Sequence, residues 1–151
     1  MEYLADTNLL LRSIDQTHAM HSVAAAALAR LLNSGDRVFV TPQNIIEFWS
    51  VCTRPLARNG LGLTPTEADR EASRLEGLLT LLPDVPAIYA EWRRLVVAHS
   101  VSGVQVHDAR IVAAMNVYGI RNLLTFNGPD FIRYPGIHMI HPNDLAKGAN
   151  P

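Results

Sequence analysis

Cysteine is almost missing from this chain: Cys52 is the only one in 151 residues. No internal disulfide can form, so the fold has to rest on its core. Also missing is any apolar run approaching the ~20 residues that a membrane-spanning helix needs. The opening Met1-Glu2-Tyr3 lacks the basic and apolar regions of a secretion leader, which predicts a cytoplasmic protein. An excess of one charge sign is lacking too: 13 Lys and Arg against 14 Asp and Glu give a net charge of −1. That balance excludes a protein that holds nucleic acid by bulk positive potential alone. There is no internal repeat, low-complexity tract or linker. What is present is 48% hydrophobic residues in a length that can bury ~70% of its unfolded surface, which predicts one globular domain over 1–151.

The pattern along the chain alternates strands with helices. Residues 2–5 (EYLA) read as a strand, and Asp6-Thr7-Asn8 before the leucines at 9–11 as a helix start. The Ala- and Leu-rich stretch 21–33 is a helix closed by Gly35. Residues 37–40 (RVFV) form a second strand, and Thr41-Pro42 opens a helix to about residue 53. After a turn-rich break at 59–63, Thr64-Pro65-Thr66-Glu67 begins a helix to about 80. A Pro-bounded strand is expected at 81–85 and a helix at 86–100, with 101–106 a loop or short strand. Then come a helix at 107–118 ended by Gly119, a strand at 120–125, a loop at 127–136 and a last strand at 137–140. Such alternation with short connections calls for a parallel sheet with helices on both faces.

Several acids stand where acids are unusual. Asp108 lies on the apolar edge of its helix, with Ile111, Val112 and Met115 at +3, +4 and +7; an N-cap or first-turn role would also explain it. Glu47 sits among Ile45, Ile46, Phe48, Trp49 and Val51, so its helix should be largely buried and the glutamate needs a partner. An ion pair with Arg54 or Arg110 would serve as well as a functional role. Asp6 follows the first strand at its carboxyl end, where parallel α/β sheets place ligand sites, although a plain helix cap is an equal explanation. Asp130, a turn residue by its own context, follows the strand ending at Thr125 on the same edge, as does Asn127. Gathered in one cleft, these carboxylates would repel one another unless a divalent cation neutralised them. All-oxygen ligands favour Mg²⁺ or Mn²⁺ over Zn²⁺, and phosphodiester hydrolysis is the natural chemistry.

Four blocks, LADTNLLLR (4–12), PQNIIEFWSV (42–51), VHDARIVAAM (106–115) and LLTFNGPDF (123–131), resemble in order those of the PIN-domain family. Within it they resemble the VapC-like toxins of bacterial toxin–antitoxin pairs, over essentially the whole chain. The resemblance implies a three-layer α/β/α sandwich around a mainly parallel sheet of four or five strands. It also implies a Mg²⁺-dependent ribonuclease with Asp6, Glu47 and Asp108 as its acidic core, Thr7 and Asn8 supporting the first acid. A VapB-like antitoxin, covering the cleft, and a homodimer are further expectations of the resemblance. The family often has an acid where this chain has Asn127, followed three residues later by a second, here Asp130. Asn127 adds no charge, so one well-held ion is expected.

In the expected mechanism Asp6 and Asp108 hold the ion, Glu47 orients or deprotonates the attacking water, and Thr125 with Asn127 or Asp130 completes the rim. With four acids set aside for metal, the rest of the formal charge is +3. Arg12, Arg54, Arg58 and Arg133 fall where they could border the cleft and reach RNA phosphates, although each is also an ordinary surface arginine. The HxxH pairs His18/His21 and His138/His141 do not suggest zinc, since the second lies on a strand, where a spacing of three points to opposite faces. His107 could touch substrate or simply open its helix, and Trp49 and Trp92 read as core or subunit interface. The competing function is a non-catalytic Mg²⁺-binding module: receiver- or flavodoxin-like, or an RNA-binding protein with a decayed site.

Overall fold

The computed structural model describes residues 1–147, so the last four residues of the expected 1–151 span lie outside it. Five strands form one sheet: β1 (Glu2–Ala5), β2 (Arg37–Val40), β3 (Thr80–Leu81), β4 (Asn122–Leu124) and β5 (His138–Ile140). Their order is β3-β2-β1-β4-β5, and every neighbouring pair is parallel. A flavodoxin-like module would run 2-1-3-4-5, so the sheet order removes that competing architecture. The chain winds outward from β1 through β2 to β3, then returns to β4 on the other side of β1. That reversal opens a crevice at the carboxyl ends of β1 and β4, the topological switch point where such sheets place ligands.

Side-chain alternation along the strands assigns the two faces. Tyr3, Ala5, Val38, Val40 and Leu124 point into one core with Leu9, Leu10, Ala24, Leu28, Leu31, Phe48, Ala68 and Leu75. These last eight come from α1 (Thr7–Ile14), α2 (His21–Asn33), α3 (Pro42–Thr53) and α4 (Pro65–Leu78). Leu4, Phe39 and Leu123 point the other way, onto Ile88, Leu95, Ile111, Val112 and Met115 of α5 (Pro86–Ala98) and α6 (Gln105–Tyr118). A short α7 (Pro142–Lys147) packs against α2. Each fully buried Leu contributes roughly 1.5–3 kcal/mol, and the register cannot slip without turning both cores outward. No helix among the described residues is long and apolar enough to cross a membrane.

Local chemistry sets the helix ends much as the sequence implies. Thr41 and Thr64 each form a reciprocal capping box, with Asn44 and Glu67, and a proline follows each threonine. Gly119 ends α6 at φ 72°, a left-handed conformation that favours glycine. The strand expected at 81–85 is shorter and earlier, because Pro83 and Pro86 cannot donate to a ladder and only Thr80 and Leu81 pair with β2. The helix α3 is not buried all round: it buries Asn44, Phe48 and Cys52, whereas Ile46 is 68% exposed. Uniform apolar composition gave no sign of which side faced out.

Candidate metal centre

Asp6 leaves β1 at its carboxyl end and is the N-cap of α1, so the capping and functional explanations of this residue coincide. One carboxylate oxygen accepts from the Thr7 N–H at 2.8 Å. The other accepts from the Thr125 hydroxyl at 2.6 Å and from Asn8 Nδ2 at 3.0 Å. Three neutral donors and a helix N-terminus favour the ionised form. Burial works against them, and with the nearby Glu47 charge it leaves the Asp6 carboxyl above its ordinary range.

Glu47 projects from the middle of α3 toward the same point. Its Oε2 accepts from the Thr7 hydroxyl at 2.7 Å and its Oε1 from Gln43 Nε2 at 2.8 Å. The ion pair with Arg54 or Arg110 that its surroundings suggested is not formed: Arg110 instead meets Asp84 at 3.0 Å and Gln43 Oε1 at 3.2 Å. Behind Thr7, Asn44 donates from Nδ2 to the Thr7 hydroxyl at 3.2 Å while its Oδ1 accepts from Thr41. The cap of α3 is therefore wired to the first two acids.

Asp108 lies in the first turn of α6 and caps nothing, because that helix begins at Gln105 with Val104 as its cap residue. Burial, then the charges of Asp6, Asp130 and Glu47, push its carboxyl up to about 6. Asp130 belongs to a 3₁₀ turn, Gly128–Phe131, beyond the end of β4. One open cleft of about 380 Å³ is lined by Asp6, Thr7, Asn8, Glu47, Asp108, Asn127 and Asp130, together with Leu11, Ser50, Val51, Arg54 and Phe131. Among the described residues, none of the four acids forms an ion pair.

Other expected site residues fall differently. Thr125 is not on the rim: it is buried beneath Asp6, its hydroxyl also accepting from the Asn127 N–H at 3.0 Å. Of the four arginines only Arg54 lines the cleft. Arg12 lies over the Phe126 ring, 4.2 Å from its centroid, and Arg133 donates to Gln105 at 2.8 Å. Arg58 ends the 3₁₀ turn Leu56–Arg58 and is exposed outside the cleft. Gln43, Asn44 and Ser50 were not anticipated. The i, i+4 spacing of Gln43 to Glu47, and the position of Asn44 three residues after a capping threonine, are the signals that could have found the first two.

The donor set suits a hard dication: four carboxylates and the two amides of Asn8 and Asn127 offer oxygen, with no thiol or imidazole among the lining residues. As the side chains stand, no three of the described His, Cys, Asp and Glu residues close on a common point tightly enough to hold an ion. Asp6 and Glu47 are turned to their own donors, while no hydrogen bond fixes the carboxylate of Asp108 or Asp130 among the described residues. The cleft thus offers two fixed acids and two movable ones.

A family model described as PIN domain matches residues 3–137. Comparison with curated protein sequences returns no match. Among solved structures, VapBC2 from Rickettsia felis bound to a DNA fragment from its promoter aligns with a TM-score of 0.70 at 13% identity, over 93% of this chain and 98% of that one. VapBC-1 from nontypeable Haemophilus influenzae gives 0.69 at 15% identity, over 94% and 98%. VapC20 from Mycobacterium tuberculosis, described as a sarcin–ricin loop cleaving toxin, gives 0.62 at 21% identity, over 85% and 92%.

Proposed function

Since the chain belongs to the PIN-domain family, we propose that it is a Mg²⁺-dependent endoribonuclease, the toxin of a toxin–antitoxin pair. The observation that supports this most directly is the cleft itself: Asp6, Glu47, Asp108 and Asp130 share it, and among the described residues none of them forms an ion pair with an arginine, lysine or histidine. Simple structural acids would be paired, since an unpaired charge is costly to hold near a core.

Asp6 and Asp108 would hold the ion, with Mn²⁺ as a substitute and with Asp130 and the Asn127 carbonyl oxygen as further ligands at the rim. Bound there, a hard dication would offset the charge of the attacked phosphate and make water more acidic. Thr7, Asn8 and Thr125 hold the Asp6 carboxylate in one orientation. Glu47, steered by Thr7 and Gln43, accepts the proton of the attacking water. Arg54 at the edge of the cleft reaches a neighbouring phosphate of the strand. A VapB-like antitoxin would cover the cleft, and Ile46 and Leu56, 68% and 76% exposed on and just after the helix that bears Glu47, supply apolar anchors for it. Pairing with a second copy is part of the same reading.

Cleavage of a panel of structured RNAs with Mg²⁺ present tests the assignment. Asp6→Asn and Asp108→Asn are each expected to lower turnover at least about a hundredfold, the scale on which a charge-stabilising group acts in a preorganised site. Activity near wild type in either variant would overturn it.

A further inference from the structure

On the other side of the first turn of α6 from the acids lies a second open pocket, of about 290 Å³, lined by Tyr89, Trp92, Val106, His107 and Arg110. Its floor is a built aromatic surface. The Trp92 indole N–H donates to the Val106 carbonyl at 2.8 Å, which fixes the ring, and Tyr89 stacks on it with centroids 5.9 Å apart at 29°. Tyr89 is nonetheless 61% exposed. Facing this surface is a guanidinium that cannot swing freely, because Arg110 is tied to Gln43 Oε1 and to Asp84. The same Gln43 side chain donates to the His107 carbonyl at 2.8 Å and to Glu47 at 2.8 Å. One residue therefore braces the wall of this pocket and the acid that faces the attacking water.

The lining chemistry selects an occupant. Two stacked rings beside a fixed, planar cation suit a flat, electron-rich group attached to a negative charge. An aliphatic protein segment would gain little from Arg110 and would bury its charge. A base of single-stranded RNA has the required face, and the phosphate attached to it the required charge. We propose that this pocket is the subsite for an unpaired nucleobase next to the phosphate attacked in the acid cleft, its ring stacking on Tyr89 and Trp92 and its phosphate meeting Arg110 or His107. The inference rests on the ribonuclease reading and adds to it where the strand runs: from the cleft, past the start of α6, toward α5. It also requires the substrate to be unpaired there, because a duplexed base cannot present its face.

Two measurements test it. In a Trp49→Phe background Trp92 is the only tryptophan of the sequence. Titration with a single-stranded RNA hexanucleotide in EDTA, where no turnover occurs, should quench its emission, and an abasic site at one position should abolish the quench. In kinetics with Mg²⁺, Tyr89→Ala should raise KM for a short unpaired RNA about tenfold, as expected for loss of one stacked base, and leave kcat within about twofold. Its sedimentation should match wild type. A silent Trp92 together with an unchanged KM would overturn the subsite while RNA cleavage by the wild type stands. Quenching without any cleavage would uphold the subsite and count against the ribonuclease reading. A change in oligomeric state on Tyr89→Ala would make the platform a protein contact and overturn the proposal.

Discussion

Asp108 and Asp6 face the same pressure and meet it in different ways. Asp6 is buried and holds its charge with three donors, so its carboxylate is fixed before any ion arrives. Asp108 has no such donors among the described residues, and partial burial, reinforced by three neighbouring acids, brings it to about 6. A ligand with that value is half protonated near pH 6, and an ion has to displace the proton. Divalent-ion affinity measured by calorimetry should therefore fall as pH is lowered from 7.5 through 6, approaching one power of ten per pH unit below that point. In an Asp108→Asn variant the affinity should be weaker, and this step should be absent. A pH-independent affinity in the wild type would show that Asp108 is no ligand. The sequence revealed the four acids through their positions after strands and on apolar helix edges. It could not reveal that Thr7 steers Glu47, because these two become partners only when α3 packs against α1; Gln43, four residues before Glu47 on the same helix, was the part within reach.

At the scale of elements, β1, α1 and α3 form a single positioning unit. Asn44 is fully buried, accepts from the Thr41 backbone and hydroxyl, and donates to Thr7. Replacing it with alanine would leave the Thr41 N–H and hydroxyl without their acceptor and remove the donor that holds the Thr7 hydroxyl. An Asn44→Ala variant should lose about 2–3 kcal/mol in urea unfolding, since a cap and a buried hydrogen bond go together. Its cleavage rate should fall as well, as the Thr7 hydroxyl that donates to Glu47 loses the contact that orients it. Gly60 plays a comparable part for the turn after α3: a Cβ there would lie 1.9 Å from the Arg54 carbonyl oxygen, which accepts from the Gly62 N–H at 2.9 Å. Gly60→Ala should open that turn, destabilise the protein in the same assay and raise KM through Arg54, with metal affinity unchanged. The strands at 2–5 and 37–40 were legible because their apolar residues are short runs bounded by helix starts. β3 was not, since two paired residues just ahead of Pro83 have no pattern of their own, and α7, with six residues, is too short to show periodicity.

For the molecule as a whole, the acid cluster sets function against stability. Asp108 has a folded-state value of about 6 and Asp6 is also raised, whereas both would titrate near 3.8 in an unfolded chain. Between those values the folded state binds more protons than the unfolded one. The Asp108 contribution to stability is therefore present in full below about pH 4 and is lost as pH rises through about 6, and the raised Asp6 carboxyl acts in the same direction. The metal-free protein should accordingly melt at a lower temperature at pH 7.5 than at pH 5.5, and Asp108→Asn should reduce that difference. At pH 7.5 the variant should melt above metal-free wild type, because one repelling charge has gone. Mg²⁺ should reverse the ranking. At about 100 times its dissociation constant a ligand adds about 2.7 kcal/mol, or roughly 5–10 °C for a chain of this size, and only wild type has the full ligand set. Calorimetric melts of both proteins, with EDTA and with Mg²⁺, read all four values. If Mg²⁺ raises both proteins equally, or if the EDTA ranking is inverted, then the four carboxylates do not act as one site, and the electrostatic basis for assigning them a common ion fails.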